Sequence, residues 1–103
     1  MECIFCKILN GDIPSLKVYE DEHTMVFMDT VKGGDGHMVA APKKHIKNIF
    51  ECDEDVLEHL MDTVKKVANY SVDYCECEGV NLLNASDTSV GQFVSHFHID
   101  ISP

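Results

Sequence analysis

The stretch Asp53–Tyr74, DEDVLEHLMDTVKKVANYSVDY, sets the architecture of what surrounds it. Val56, Leu57, Leu60, Met61, Val64, Val67 and Ala68 recur at three- and four-residue spacing, so a helix gathers them into one apolar stripe. Asp53 is a candidate N-cap, and Glu54 and Asp55 fall in the first turn, where carboxylates favour the positive end of the helix dipole. On either side the pattern shortens. Cys3–Asn10 places Ile4, Phe5, Ile8 and Leu9 at helical spacing, with Gly11 as a stop, and predicts one short helix. Val18–Glu20 and Thr24–Asp29 read as a hairpin around the polar turn Asp21-Glu22-His23. The run GGDG at 33–36 reads as a flexible connection, and His37–Ala41 as a third strand that Pro42 terminates. Beyond the long helix, Gly79–Leu83 and Phe93–Ile101 predict two more strands around the polar loop NASDTSVGQ. The order α-β-β-β-α-β-β, with hairpin-length links, points to an α+β fold: a mainly antiparallel five-stranded sheet with one long and one short helix.

A chain of 103 residues with 45% hydrophobic content has material for one core, so residues 1–103 are expected to form a single domain. Eighteen acidic against eight basic residues give a net charge of −10, which repels nucleic-acid backbone and anionic membrane alike. A phosphate site must then be built locally. The start MECIFCKIL carries no basic n-region, and no 18-residue apolar run occurs, so a soluble, cytoplasmic protein is expected. Five cysteines with no framework-like spacing read as reduced thiols.

Two constellations carry chemistry. Cys3-x-x-Cys6 is half of a tetrahedral zinc site, for which His45 in APKKH and His96 are the candidate partners. A thioredoxin-like redox pair would follow a strand, and only two residues precede Cys3. Two cysteines simply packed in a small helix is the other reading. The second constellation is His96-x-His98-x-Asp100, which on a strand of period two forms a row on one face. Alternate histidines can both bind metal, both be structural, or divide labour between ligand and catalyst. A neutral imidazole is a competent nucleophile toward phosphorus, which makes covalent nucleotidyl transfer feasible.

Three blocks in this order, CIFCKILNGDIPSLKVYEDEHTMVFMD (3–29), GHMVAAPKKHI (36–46) and NLLNASDTSVGQFVSHFHI (81–99), resemble the histidine triad (HIT) family of nucleotide hydrolases and transferases, and its small bacterial-type zinc-containing branch in particular. The resemblance covers nearly the whole chain. It implies a homodimer whose two sheets join into one, and a site for a purine nucleotide or nucleotide conjugate. By the same resemblance Cys3, Cys6, His45 and His96 hold a structural zinc and His98 is the nucleophile, with His96, Asp100 and His37 as triad partners. Asp29 matches the acid that holds the ribose hydroxyls, and a short carboxylate accepting two hydrogen bonds suits that task. Ile4, Phe5, Ile8 and Phe27 match the apolar positions around the base, although any core would use such residues. Asn84 and Gln92 match polar loop positions near the phosphate, where Asn84 has the alternative duty of a turn residue.

Three positions depart from the family pattern. Asp100 replaces the third triad histidine, turning a donor to phosphate into a charged acceptor. Phe93 stands where a small hydroxyl residue usually follows Gly-Gln, and Asp87 where the loop usually has glycine. The chain stops at Ile101-Ser102-Pro103, where family chains usually run on through Ile-Pro-Arg. These departures predict altered or weakened catalysis with the metal and base regions intact. Of the rest, Cys75-x-Cys77 reads as incidental, His23 and His59 as solvated, and Lys43 and Lys44 as surface.

Overall fold

Alternation along the strands decides which face of the sheet each helix covers. In the computed structural model, which describes residues 3–29 and 37–103, the elements in order are α1 (Ile4–Leu9), β1 (Lys17–Glu20), β2 (Thr24–Met28), β3 (Met38–Pro42), α2 (Glu54–Tyr74), β4 (Asn81–Leu83) and β5 (Ile99–Ser102). Single 3₁₀ turns lie at Ile49–Glu51 and Thr88–Val90. The five strands form one antiparallel sheet in the order β1-β2-β3-β5-β4. Val26, Met38, Ala40, Ile99 and Ile101 pack with Leu60, Val64 and Val67 of α2. The alternate positions Met25, Phe27 and Val39 cluster instead with Phe5 of α1. The expected α+β fold and its strand count are those observed. The GGDG connection lies outside the described residues.

Helix α2 begins after Asp53 and ends at Tyr74, as its periodicity predicts. Asp53 occupies the N-cap position, but its carboxylate makes no capping bond and instead meets Lys44 at 3.3 Å. The buried stripe runs through Leu60, Thr63, Val64, Val67 and Ser71, while Met61 is 39% exposed. Thr63 and Ser71 enter the core because a small side chain lets helix and sheet approach, and the Ser71 hydroxyl donates to the Val67 carbonyl at 3.0 Å. Leu60 is fully buried, so truncating it to alanine removes about 2–5 kcal/mol. No helix among the described residues is long and apolar enough to cross a membrane.

The β1–β2 turn is closed by Asp21, whose Oδ1 accepts from the backbone N–H groups of His23 and Thr24 at 2.8 and 2.9 Å. Its other oxygen accepts from the Tyr19 hydroxyl at 2.9 Å and lies 3.0 Å from Nε2 of His59. Burial alone would push this carboxyl up, but His59, the turn N–H groups and Tyr19 hold it well below the usual carboxylate range. His59 is therefore engaged rather than solvated, and its ring stacks edge-on with His23 at 4.6 Å. Lys43 pairs with Glu20 at 2.7 Å, a surface role as expected.

Several strand ends shift by a residue or two from the sequence reading, and the last strand starts much later. Pro42 lies inside β3, opposite Thr24, rather than ending the strand before it. The last strand is only Ile99–Ser102, because residues 93–98 leave the sheet and fold over the end of β3. There the Phe97 N–H donates to the Ile46 carbonyl at 2.6 Å, and Phe97 is fully buried against the α2 face. Contacts with the 43–48 loop replace ladder bonds, so the three-residue row His96, His98, Asp100 is not carried by a single strand.

Candidate functional site

Everything chemical lies on the α1 face of the sheet. Cys3 is the N-cap of α1, its sulfur accepting from the Cys6 N–H at 3.4 Å, so one helical turn brings the two sulfurs together. Gly11, at φ +81°, closes the other end with a left-handed residue after the last turn. His96 is fully buried, and its Nε2 lies 2.8 Å from the Pro42 carbonyl. A carbonyl oxygen only accepts, so Nε2 carries the proton and Nδ1 presents a lone pair. That Nδ1 lies 3.5 Å from the Cys3 sulfur and 3.6 Å from the Cys6 sulfur. Nδ1 of His45 lies 3.2 Å from the Cys6 sulfur. One donor atom from each of Cys3, Cys6, His45 and His96 thus falls within 4.8 Å of the others, a group able to hold a metal ion. Burial pushes the His96 imidazole below its ordinary pKa, keeping it neutral as a ligand must be. Burial, then the neighbouring Cys3, pushes the Cys6 thiol up; sulfurs this close resist ionisation unless they share a cation. Neither Cys75 nor Cys77 belongs to any such group among the described residues.

His98 lies beside this cluster with a fixed orientation. Its Nδ1 is 2.7 Å from the His96 carbonyl, which makes Nδ1 the protonated nitrogen and leaves the Nε2 lone pair outward. Phe5 packs edge-on against the ring at 4.9 Å, and the Asn84 side-chain amide donates to the His98 carbonyl at 3.0 Å. Asn84 therefore ties the end of β4 to the backbone of His98. Gln92 is buried, and its side chain bonds three backbone groups: the Asp87 N–H and the carbonyls of Lys47 and Val94, at 2.8, 2.7 and 3.0 Å. Asp100 is 8% exposed, with its carboxylate 3.9 Å from Nε2 of His98 and 3.5 Å from Nε2 of His37. Phe93 is 81% exposed. Asp87 sits at φ +116°, ψ +148°, backbone that glycine adopts freely, with its carboxylate accepting from the Ser89 N–H at 3.0 Å.

A cavity of about 380 Å³ opens next to His98's neighbour Phe5. Ile4, Phe5, Ile8, Phe27 and Asp29, all read from the sequence as ligand positions, line it together with Ile13, Leu16 and Val39, which were not. Val39 was legible in principle, since it alternates with His37 on the strand that pairs with Phe27.

The HIT domain family matches residues 10–103. The chain belongs to the HIT family. The "Protein hit" of Bacillus subtilis is 44% identical to this HIT chain over 101 residues, covering 98% of the chain and 70% of that protein. A crystal structure of a HIT family member from Bacillus subtilis superposes with a TM-score of 0.94 at 43% identity, covering 100% of this chain and 73% of that one. The adenosine 5′-monophosphoramidase hnt1 of Schizosaccharomyces pombe is 34% identical over 103 residues, covering 100% of the HIT chain and 74% of that enzyme.

Proposed function

We propose that this chain is a nucleotide hydrolase or transferase that cleaves at the α-phosphate of purine nucleotide conjugates, phosphoramidates or dinucleoside polyphosphates, through a nucleotidyl-histidine at His98. The observation that carries the reading is the tautomer lock. With Nδ1–H committed to the His96 carbonyl at 2.7 Å, the neutral ring carries its lone pair on Nε2, the nitrogen free to act as a nucleophile. The phosphoramidase activity of the similar hnt1 protein supports the substrate class.

The Nε2 lone pair forms an N–P bond to the α-phosphorus, and the bond from phosphorus to the amine nitrogen or bridging phosphate oxygen breaks. The leaving group departs with that electron pair and takes a proton from solvent. Water then bonds to phosphorus and gives its proton to solvent, the N–P bond breaks with its electron pair returning to Nε2, and the nucleoside monophosphate leaves with the imidazole neutral. The apolar cavity takes the base between Ile4, Ile8 and Phe27, and Asp29 at its rim accepts from the ribose hydroxyls. Asn84 positions His98 through its carbonyl, and Gln92 braces the loop on the phosphate side.

Cys3, Cys6, His45 and His96 hold zinc in this reading. Zn–S bonds of about 2.3 Å and Zn–N bonds of about 2.0 Å at the tetrahedral angle separate sulfur and nitrogen by about 3.5 Å. The separations here, 3.5, 3.6 and 3.2 Å, are of that size. Four protein ligands leave no position for water, so zinc supplies a structural anchor for the segment presenting His98. The domain spans residues 1–103, acts in the cytoplasm, and pairs as a homodimer that joins two sheets; the β4 edge, with Leu82 and Leu83 exposed, suits that pairing.

A second reading, a nucleotide-binding or zinc-stabilised interaction protein with little turnover, is favoured by the buried charge of Asp100 next to the nucleophile. Incubation with an adenosine phosphoramidate separates the two. The hydrolase reading expects AMP release from wild type and none above background from His98→Ala. Equal rates for the two proteins sink it at this substrate, and AMP binding without release then supports the second reading.

A further inference from the structure

The strand alternation that assigns Phe27 and Val39 to the α1 face assigns Asp29, His37 and Asp100 to it as well. Met28 pairs with Met38, the Asp29 N–H donates to the His37 carbonyl at 2.9 Å, and Val39 pairs with Asp100. The end of β2, the start of β3 and strand β5 therefore bring an aspartate, a histidine and an aspartate to one face, Asp29 and His37 one residue outside their strands. One donor atom from each lies within 4.8 Å of the other two.

Two further observations separate this row from an ordinary polar patch. Nε2 of His37 is buried and makes no hydrogen bond among the described residues. Asp100, 8% exposed, faces it at 3.5 Å, longer than a charged hydrogen bond, and its carboxylate makes no shorter polar contact among the described residues. Octahedral ligands about 2.0–2.1 Å from one cation stand about 2.8–4.2 Å apart, and the 3.5 Å between His37 and Asp100 suits an ion shared between them.

We propose that Asp29, His37 and Asp100 form a binding site for one divalent cation of the Mg²⁺/Mn²⁺ class, and that this cation accompanies the substrate phosphate at His98. Two carboxylates and an imidazole make an oxygen-rich set, unlike the thiolate set that selects zinc at Cys3 and Cys6. Three protein ligands leave positions for phosphate oxygens and water. The placement answers the difficulty Asp100 creates. Its Oδ2 is 3.9 Å from Nε2 of His98, so a phosphoryl group on that nitrogen meets a carboxylate, and a cation between them turns repulsion into a bridge. The net charge of −10 raises the local concentration of divalent cations. The accompanying role rests on the nucleotide reading above; the site itself does not.

Mn²⁺ alone, titrated into zinc-loaded protein and followed by electron paramagnetic resonance, tests the site. One Mn²⁺ per chain is expected, with affinity weakened more than about tenfold in Asp100→Asn and in His37→Gln. Substoichiometric Mn²⁺ should also broaden the amide resonances of Val39 and Asp100 in wild type, a readout independent of whether the variants fold. Absence of binding, or binding undiminished in both variants with these amides unbroadened, overturns the site even where AMP release is normal. AMP affinity is then measured with and without Mn²⁺. Tighter AMP binding with Mn²⁺ supports the accompanying role. Mn²⁺ binding with AMP affinity unchanged upholds the site and overturns that role, and failure to bind AMP under either condition refutes the nucleotide reading instead.

Discussion

Replacing Asp100 by histidine should accelerate turnover when no divalent cation is added. Asp100 is 8% exposed, and its carboxylate lies 3.9 Å from Nε2 of His98, the proposed nucleophile, so a phosphoryl oxygen there stands at comparable range. Two unit charges about 4 Å apart repel by about 1 kcal/mol in water-like surroundings and about 4 kcal/mol at an effective dielectric near 20. The burial of Asp100 favours the upper part of that range. Since about 1.4 kcal/mol is a factor of ten in rate, removing the charge is worth about ten- to a thousandfold in the first chemical step. A histidine also restores a donor to the phosphate, so Asp100→Asn, which removes charge alone, should fall between wild type and Asp100→His. The assay is single-turnover AMP release from an adenosine phosphoramidate at neutral pH, with His98→Ala/Asp100→His as the blank. Added Mn²⁺ should narrow the gap between wild type and variant. A rate for Asp100→His within about twofold of wild type without added metal would refute the reasoning, because a repulsion of even 1 kcal/mol exceeds that factor.

Protein purified without chelator should carry close to one zinc per chain; less than about half an equivalent counts against the Cys3, Cys6, His45, His96 assignment. Cobalt exchanged into the same site should give the visible absorption of a tetrahedral thiolate centre, lost in Cys6→Ser. Asp21→Asn should destabilise the fold by about 2 kcal/mol at neutral pH, measured by urea denaturation, because charge-assisted hydrogen bonds from four groups are weakened together. The folded-state pKa of Asp21 is depressed, so the wild-type advantage is fully present above the ordinary carboxylate pKa and is lost as pH falls toward the folded value; a difference that persists undiminished in strong acid contradicts this. Asp87→Gly and Asp87→Ala both lose the Ser89 cap, but only glycine relieves the backbone at φ +116°, so Asp87→Gly should be the more stable by about 1–3 kcal/mol. The usual order, alanine above glycine, would show that this turn stores no strain.

Much of the fold was legible because it is written in local periods. The 3.6-residue stripe of α2 and the Asp21 turn fixed by two backbone N–H groups are decided within a few residues. The candidate zinc ligands were legible for a related reason. Cys3 and Cys6 are one helical turn apart, and few other histidines were available to complete a set. The last strand was read too long because its alternation continues through Phe97, buried by Ile46 and α2 rather than by a neighbouring strand. Alternation reports burial on one side, and it cannot distinguish a ladder partner from a loop. His59 was misjudged in character for the same reason, since the carboxylate it contacts is far away in sequence.

The sequence by itself determined the element order, the two faces of the sheet and the family to which the chain belongs, since each rests on spacing along the chain. Only the tertiary structure decided what Asp100 meets. Its neighbours Asp29 and His37 lie 71 and 63 residues away and are brought to it by the pairing of β2 with β3 and β3 with β5, a choice of register that no local pattern records.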